Sequence, residues 1–132
     1  MGKKVFEIMN PKIETISPDK SVYHAIEKLI DKRIRSLLVL PKDEKDDYGV
    51  VTVRNIIFKV LTKKLDPHTI KIGEICSKPL ITVSKDTPVE ELFDLMEKNN
   101  IARVFVKDKN EIIGVISFFD IMNYILIERA KK

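Results

Sequence analysis

The sequence predicts an α+β fold of two tandem β-α-β-β-α repeats, and a duplicated junction and a constant offset carry that prediction. The junction reads GVVTVRNI over Gly49–Ile56 and GVISFFDI over Gly114–Ile121. In both copies an apolar strand ends on a hydroxyl residue at the cap of a helix, and an amide or acid follows three residues later. Corresponding positions such as Thr15 and Thr82 lie 67 residues apart.

The offset falls from 67 to 65 residues after the first hairpin, where Gly49 corresponds to Gly114. The first hairpin loop is therefore two residues longer than the second. Insertions are tolerated best in surface loops, so an offset that changes only there indicates an internal repeat.

The first copy gives the element order directly. Alternating β-branched residues over 12–16 predict a strand. Apolar residues at helical spacing predict an amphipathic helix over 21–32. The continuous apolar run 36–40 suits a strand buried on both faces, and a further strand at 49–53 leads into a helix that ends near residue 63.

The second copy repeats this order. Thr87 is predicted as the N-cap of a helix, with Pro88 at the first helical position and Glu90 at the third, the pattern of a capping box. The other predicted elements are strands at 80–83, 103–106 and 114–117, a turn at 108–110, and a last helix from about 118 to 129.

Composition indicates a folded globular chain, with 44% hydrophobic and 33% charged residues. Cys76 is the only cysteine, which excludes an internal disulfide and a cysteine-based zinc site. The N-terminal residues have no long apolar core, and no apolar run approaches the ~20 residues that span a bilayer. We therefore expect a cytoplasmic protein.

The net charge of +4 is scattered over the termini and residues 63–64. Solvated surface charge explains it better than a nucleic-acid groove does. His24 and His68 have no cysteine or acidic cluster at ligand spacing, so we expect no metal site. The sequence has no Ser-His-Asp order, P-loop or Gly-x-Gly-x-x-Gly motif, and we expect no enzymatic activity.

Each half resembles a CBS motif, and the pair resembles a CBS tandem, or Bateman module. Three features carry the resemblance. The first is the pair of lead-ins, IMNP (8–11) and ICSKP (75–79), each followed by a short Thr-containing strand. The others are the helix after the Ser-Pro-Asp or Thr-Pro turn and the duplicated junction. The resemblance implies a first repeat at 1–64, a linker at 65–73 and a second repeat at 74–132, with two sheets packed face to face around a pseudo-twofold axis.

It also implies a function. CBS tandems serve as regulatory modules that bind AMP, ADP, ATP or S-adenosylmethionine in two clefts between the repeats, and they commonly dimerise. We therefore expect a homodimer, whose contacts include an apolar face of the last helix, and an adenosine-containing ligand but no required cofactor.

The implied ligand contacts divide into two sets, because the acid of one repeat marks a cleft that the other repeat completes. One predicted cleft contains Ser117, Asp120, Ile13, Ile34, Arg35 and Ser36. The other contains Thr52, Asn55, Lys78, Ile81, Ala102 and Arg103.

Residue chemistry suggests the roles. The helix N-terminus after Ser117 attracts phosphate, and the Asp120 carboxylate can accept bonds from both hydroxyls of a ribose. Ile13 and Ile34 would flank an adenine, and Arg35 or Arg103 would meet phosphate. Asn55 stands where the first copy should carry the acid, which leaves that cleft or its ligand open.

Simpler interpretations stand beside these roles. Ser117 and Asp120 also form a capping-box pattern, the arginines suit a solvated strand edge, and the isoleucines suit core packing. For the whole chain, a ligand-free protein-interaction module is the main alternative, and nucleic-acid binding is a weaker one.

Overall fold

The structure, a computed structural model, describes residues 2–130 and contains two compact units. The central unit is Glu14–Leu80. The terminal unit combines the described residues of Met1–Ile13 with those of Ile81–Lys132. Each unit contains one three-stranded mixed sheet, so the predicted α+β class is confirmed.

The central unit follows the predicted order. Its elements are β1 (Thr15–Ile16), α1 (Val22–Lys32), β2 (Ser36–Val39), β3 (Gly49–Thr52) and α2 (Val53–Ile56), which continues as a π-helical turn over Ile57–Leu61. β2 lies in the middle of the sheet, parallel to β1 and antiparallel to β3. A buried strand with a neighbouring strand on each side explains the continuous apolar run at this position.

The terminal unit has the same topology. Its elements are β4 (Thr82–Ser84), α3 (Val89–Asn99), β5 (Arg103–Asp108), β6 (Glu111–Ser117) and α4 (Phe118–Ala130). β5 is parallel to β4 and antiparallel to β6. The β-α-β-β-α order predicted from the offset is therefore confirmed in both copies.

A lead-in segment completes each sheet. After a 3₁₀ turn at Val5–Glu7, the backbone of Asn10 exchanges two hydrogen bonds with Val115 of β6, at 2.8 and 3.0 Å. After the turn at Ile72–Glu74, Ser77 exchanges two bonds with Val50 of β3, at 2.9 and 3.1 Å. Residues 2–13 thus belong to the unit that holds β6, and the predicted boundaries 1–64, 65–73 and 74–132 divide the sequence repeats rather than these units.

Strands β4 and β5 differ from their predicted bounds, 80–83 and 103–106, and four further predicted boundaries were wrong. β1 has two residues rather than five, and the helical segment after β3 ends at Leu61 rather than near 63. β6 begins at Glu111, so the turn is shorter than 108–110. Hairpin pairing extends β6 because Lys109, with φ of 57°, allows a tight turn that apolar patterning does not reveal.

The fourth wrong boundary is the capping box at Thr87. The N-cap of α3 is Pro88, which has extended backbone angles and makes no side-chain capping bond. Pro88 stays extended because it pairs with Lys4 in an isolated bridge, while the Thr87 carbonyl accepts the Val5 amide at 2.8 Å. In the first copy the corresponding residue, Ser21, caps α1 through the His24 amide, so the predicted start of that helix is confirmed.

Each unit has its own apolar core. In the central unit, fully buried Leu37 and Val51 of the sheet pack with Val22 of α1. In the terminal unit, fully buried Val104 and Ile116 pack with Leu92 of α3 and with the lead-in. Both lead-ins contribute to these cores as well as to the sheets.

Helix α4 is unusually apolar on its exposed side. Its 13 residues include Phe119, which is 82% exposed, and Leu126, which is 67% exposed. Within residues 2–130, no helix combines the length and apolar character needed to cross a membrane.

The lead-in pairing explains the glycine in each junction. A Cβ on Gly49 would lie 3.0 Å from the Ser77 carbonyl oxygen and 3.1 Å from Cys76 Sγ. A Cβ on Gly114 would meet the Met9 side chain and would lie 3.2 Å from the Asn10 carbonyl oxygen. Close backbone approach therefore requires glycine at both positions.

We expect Gly114→Ala to lower the free energy of unfolding by about 1–3 kcal/mol, because the lead-in must shift to admit a methyl group. Urea unfolding monitored by circular dichroism measures the loss. Gly49→Ala is the matched variant in the other copy and should cost a similar amount. Wild-type stability of both variants would contradict the proposed close approach.

Candidate functional site

The duplicated junction in the terminal unit is a closed hydrogen-bond ring between Ser117 and Asp120. The Ser117 amide and hydroxyl donate to Asp120 Oδ2 at 2.8 and 3.0 Å. The Asp120 amide donates to Ser117 Oγ at 3.3 Å. The strand thus ends where the helix needs its cap, and the acid is held in one orientation by the first turn.

The ring leaves one carboxylate oxygen available. All of the hydrogen bonds that Asp120 accepts from the described residues go to Oδ2, and the side chain is only half-buried. A carboxylate can accept about four hydrogen bonds through its two oxygens. Capping and ligand contact are therefore compatible at this residue.

Two other predicted contacts lie beside this ring. Arg103 is the cross-strand partner of Ser117 in the β5–β6 register. The Phe118 amide donates to the Ala102 carbonyl at 3.1 Å, which ties the start of α4 to the start of β5. The structure therefore brings Ala102, Arg103, Ser117 and Asp120 together within one unit.

The central junction has the same ring with a different chemistry. The Thr52 amide donates to Asn55 Oδ1 at 3.0 Å, and the Asn55 amide donates to Thr52 Oγ1 at 3.0 Å. Asn55 Nδ2 also donates to Ser77 Oγ at 3.4 Å. Both polar atoms of the Asn55 amide group thus have a partner inside the central unit.

The predicted residues at the start of β2 lie next to this ring. Ser36 is the cross-strand partner of Thr52, and the Val53 amide donates to the Arg35 carbonyl at 3.1 Å. Ile34 packs against the central core. Two sets of shared ligand contacts stay predictions. One joins Asp120 with Ile13, Ile34, Arg35 or Ser36, and the other joins Asn55 with Ile81, Ala102 or Arg103.

Lys78 has a partner that sequence reasoning missed. Its ammonium lies 2.7 Å from Asp46 Oδ1, and Asp46 Oδ2 accepts the Lys42 amide at 2.8 Å. These hydrogen bonds hold the pKa of Asp46 down, from 3.8 to about 2. Asp46 lies in the longer hairpin loop, and the two-residue insertion was the only sequence signal that this loop differs from its counterpart.

The two histidines take part in local contacts. His24 Nδ1 lies 2.7 Å from the Ser21 hydroxyl. His68 stacks on Tyr23 with 4.2 Å between ring centroids, and its Nδ1 lies 3.1 Å from Asp66 Oδ1. Among residues 2–130, no group of three His, Cys, Asp or Glu side chains is arranged to hold a metal ion.

Comparison with known families gives one match in duplicate. The CBS domain model matches residues 5–62 and again residues 72–127. An uncharacterized protein of Methanocaldococcus jannaschii is 31% identical over 108 residues, which are 81% of this chain and 58% of that relative. The chain therefore spans less than two thirds of that relative's length.

Two solved structures are similar over almost the whole chain. A hexameric CBS-CP12 protein from bloom-forming cyanobacteria is 34% identical with a TM-score of 0.86, over 92% of this chain and 67% of that one. A CBS domain pair in complex with 5′-methylthioadenosine and S-adenosyl-L-methionine is 27% identical with a TM-score of 0.79, over 93% of this chain and 99% of that one.

The Asp46–Lys78 pair gives a pH prediction. The pKa of Asp46 in the folded protein, about 2, lies below its ordinary value of 3.8. The ionised carboxylate therefore stabilises the folded state fully above about pH 4, and this contribution is lost as the pH falls through about 2. We expect Lys78→Met to raise the pKa of Asp46 towards 3.8, measured from its carboxyl carbon by NMR titration.

Lys45→Met is the matched control, since Lys45 lies in the same loop but makes no ion pair with Asp46. A titration of Asp46 that is the same in wild type and Lys78→Met would contradict the pair.

Proposed function

Because this chain belongs to the CBS domain family and contains two copies of the domain, we propose that it is a regulatory module that binds an adenosine-containing ligand where β6 meets α4. AMP, ADP, ATP and S-adenosylmethionine are the candidate ligands. The binding residues are Ser117 and Asp120, together with the contacts predicted from the other repeat. Ala102 and Arg103, which the sequence assigned to the other cleft, are added because they neighbour the Ser117 junction in the sheet.

The orientation of Asp120 carries this proposal. Its Oδ2 is fixed by two bonds from Ser117, while its Oδ1 accepts none from the described residues. A carboxylate that is already oriented loses little freedom when it accepts the hydroxyls of a ribose. Bonds to an ionised acceptor are about twice as strong as neutral ones, so this residue suits a diol.

Two neighbouring features suit the rest of the ligand. The first amide groups of α4, a helix of 13 residues, form the positive end of its dipole and favour an anionic oxygen. Arg103, beside Ser117 in the sheet, presents paired donors that match phosphate or carboxylate geometry. The similar CBS pair that was solved with two adenosyl ligands supports the same ligand class.

The central junction is a poorer candidate for the same chemistry. The amide group of Asn55 already bonds Thr52 and Ser77, and the ammonium of Lys78 is paired with Asp46. A ligand there must displace internal partners and gains no charge-assisted bond from residue 55. We therefore assign the higher affinity to the Asp120 site.

A second role, self-association, rests on a repeated apolar surface. Val53, Ile57 and Leu61 form a central stripe at helical spacing and are 39–47% exposed. Phe118, Met122 and Leu126 form a terminal stripe at the corresponding positions of α4 and are 56–67% exposed. Exposed apolar stripes of this kind mark association sites. A second copy of the chain presents the same apolar stripes, and a two-fold interface requires such a self-complementary surface.

We expect Asp120→Ala to weaken binding of the adenosine-containing ligand at least about tenfold, because it removes the charge-assisted bonds to the ribose. Calorimetry with AMP, ATP and S-adenosylmethionine measures the loss. Asn55→Ala is the matched control and should change the affinity of that site little. Equal affinity of wild type and Asp120→Ala for every ligand would exclude the proposed site.

We expect Leu126→Asp to raise the dimer dissociation constant at least about tenfold, since the association would bury a charge. Sedimentation equilibrium measures the change. Ile30→Asp is the control, because Ile30 is 72% exposed on α1 but lies outside both stripes. A monomeric wild-type protein, or an equal effect of both substitutions, would refute self-association through the stripes.

A further inference from the structure

The terminal unit contains an acid-rich cavity, and the adenosine proposal accounts for only one of its lining residues, Asp120. Its volume is about 280 Å³, and it lies between the lead-in and one side of α4. The residues that give it its character are Lys3, Glu7, Ile8, Asp120, Tyr124 and Glu128. Besides Glu128, the carboxylates of Glu7 and Asp120 and the ammonium group of Lys3 line this cavity.

The central unit shows what occupies the same place in the other copy. By the repeat offset, Lys59 corresponds to Tyr124 and Ile75 corresponds to Ile8. The Lys59 ammonium donates to the Ile75 carbonyl at 3.0 Å, although Lys59 as a whole is exposed. The first copy thus supplies its own alkylammonium group at the position where the second copy has a cavity.

The surrounding charges change in the compensating direction. Asp120 of the second copy corresponds to Asn55 of the first. The copy with a built-in ammonium therefore has a neutral amide at this position, and the copy without one has an acid. Lys3 lies 3.8 Å from Glu7 and is about one third exposed.

Tyr124 is a second and independent indication of a ligand. Its side chain is only 7% exposed, yet its hydroxyl makes no hydrogen bond with the described residues. The hydroxyl is therefore an accessible atom without a hydrogen-bond partner among the described residues, on a side chain that lines the cavity. Burial, together with the negative charges of Glu128, Glu90 and Glu7, raises the pKa of this phenol, as a negative cavity requires.

We propose that this cavity binds the primary ammonium group of a small organic molecule. The bound ammonium takes the place that Lys59 fills in the central unit, with the Tyr124 hydroxyl and the carboxylates of Glu7 and Asp120 as acceptors. An ammonium has three donors and reaches oxygens at ~2.8 Å. A metal ion needs oxygens that converge more closely, and no such group of side chains exists among residues 2–130.

The ammonium has two chemical sources, a free amine or the amino-acid tail of S-adenosylmethionine. Isothermal calorimetry on the full chain with spermidine tests the first source. The second is tested by comparing S-adenosylmethionine with 5′-methylthioadenosine, which lacks that tail. The second source rests on the proposed function, but the first does not.

If the source is a free amine, we expect Tyr124→Phe to weaken spermidine binding about five- to tenfold. If the source is the amino-acid tail, the same variant should weaken binding of S-adenosylmethionine by that factor and leave binding of 5′-methylthioadenosine unchanged. Tyr124→Lys should abolish this ammonium-dependent binding, because it restores the side chain of the first copy. Glu7→Gln should weaken the ammonium-dependent binding about as much as Tyr124→Phe does, while it keeps an oxygen that can accept the Lys4 amide. Glu74→Gln, which alters the corresponding acid of the central unit, is the matched control and should have no effect.

Several results would overturn the proposal. Tetramethylammonium, which has no N–H donor, and Mg²⁺ are the comparison probes. Binding of either with the affinity of spermidine would exclude a hydrogen-bonded ammonium. Failure of spermidine to bind, combined with equal effects of Tyr124→Phe on both adenosyl ligands, would exclude it from both sources. Adenosyl binding that is lost in Asp120→Ala but unchanged in Tyr124→Phe and Glu7→Gln would retain the proposed function and reject this cavity as a cation site.

Discussion

The pairing of each lead-in with the third strand of its sheet is the constraint on which the rest of the structure depends. Two backbone hydrogen bonds join Asn10 to Val115, and two join Ser77 to Val50. These bonds satisfy polar groups at the edge of the sheet and bring a second backbone close to the strand. The strand can accept that approach only through a glycine, which is why the junction begins with Gly49 or Gly114.

The same pairing places the functional side chains. It sets Ser77 within hydrogen-bond distance of Asn55, and it places Ile75 where Lys59 reaches its carbonyl. In the terminal unit it brings Glu7 and Ile8 to one side of α4, where they line the acid-rich cavity. One backbone arrangement therefore creates two environments, and the side chains alone decide their charge.

The two copies differ in chemistry at these positions. Asn55 has satisfied both of its polar atoms internally, whereas Asp120 keeps one carboxylate oxygen available. The Lys59 ammonium bonds the Ile75 carbonyl of its lead-in, whereas Tyr124 lines a cavity. At these positions the first copy has internal partners that the second copy lacks, and the proposed ligand site is therefore assigned to the second copy.

The sequence by itself determined the repeat, the β-α-β-β-α order, the family and the polar ring of each junction, because periodicity and a fixed offset report local structure. It did not determine that Pro88 rather than Thr87 caps α3, that Asp46 pairs with Lys78, or that Asn10 of the lead-in pairs with the sheet of the second copy. Those features join residues 32 or more positions apart or depend on an isolated bridge. Only tertiary structure decides them, since the backbone must fold before distant donors and acceptors can meet.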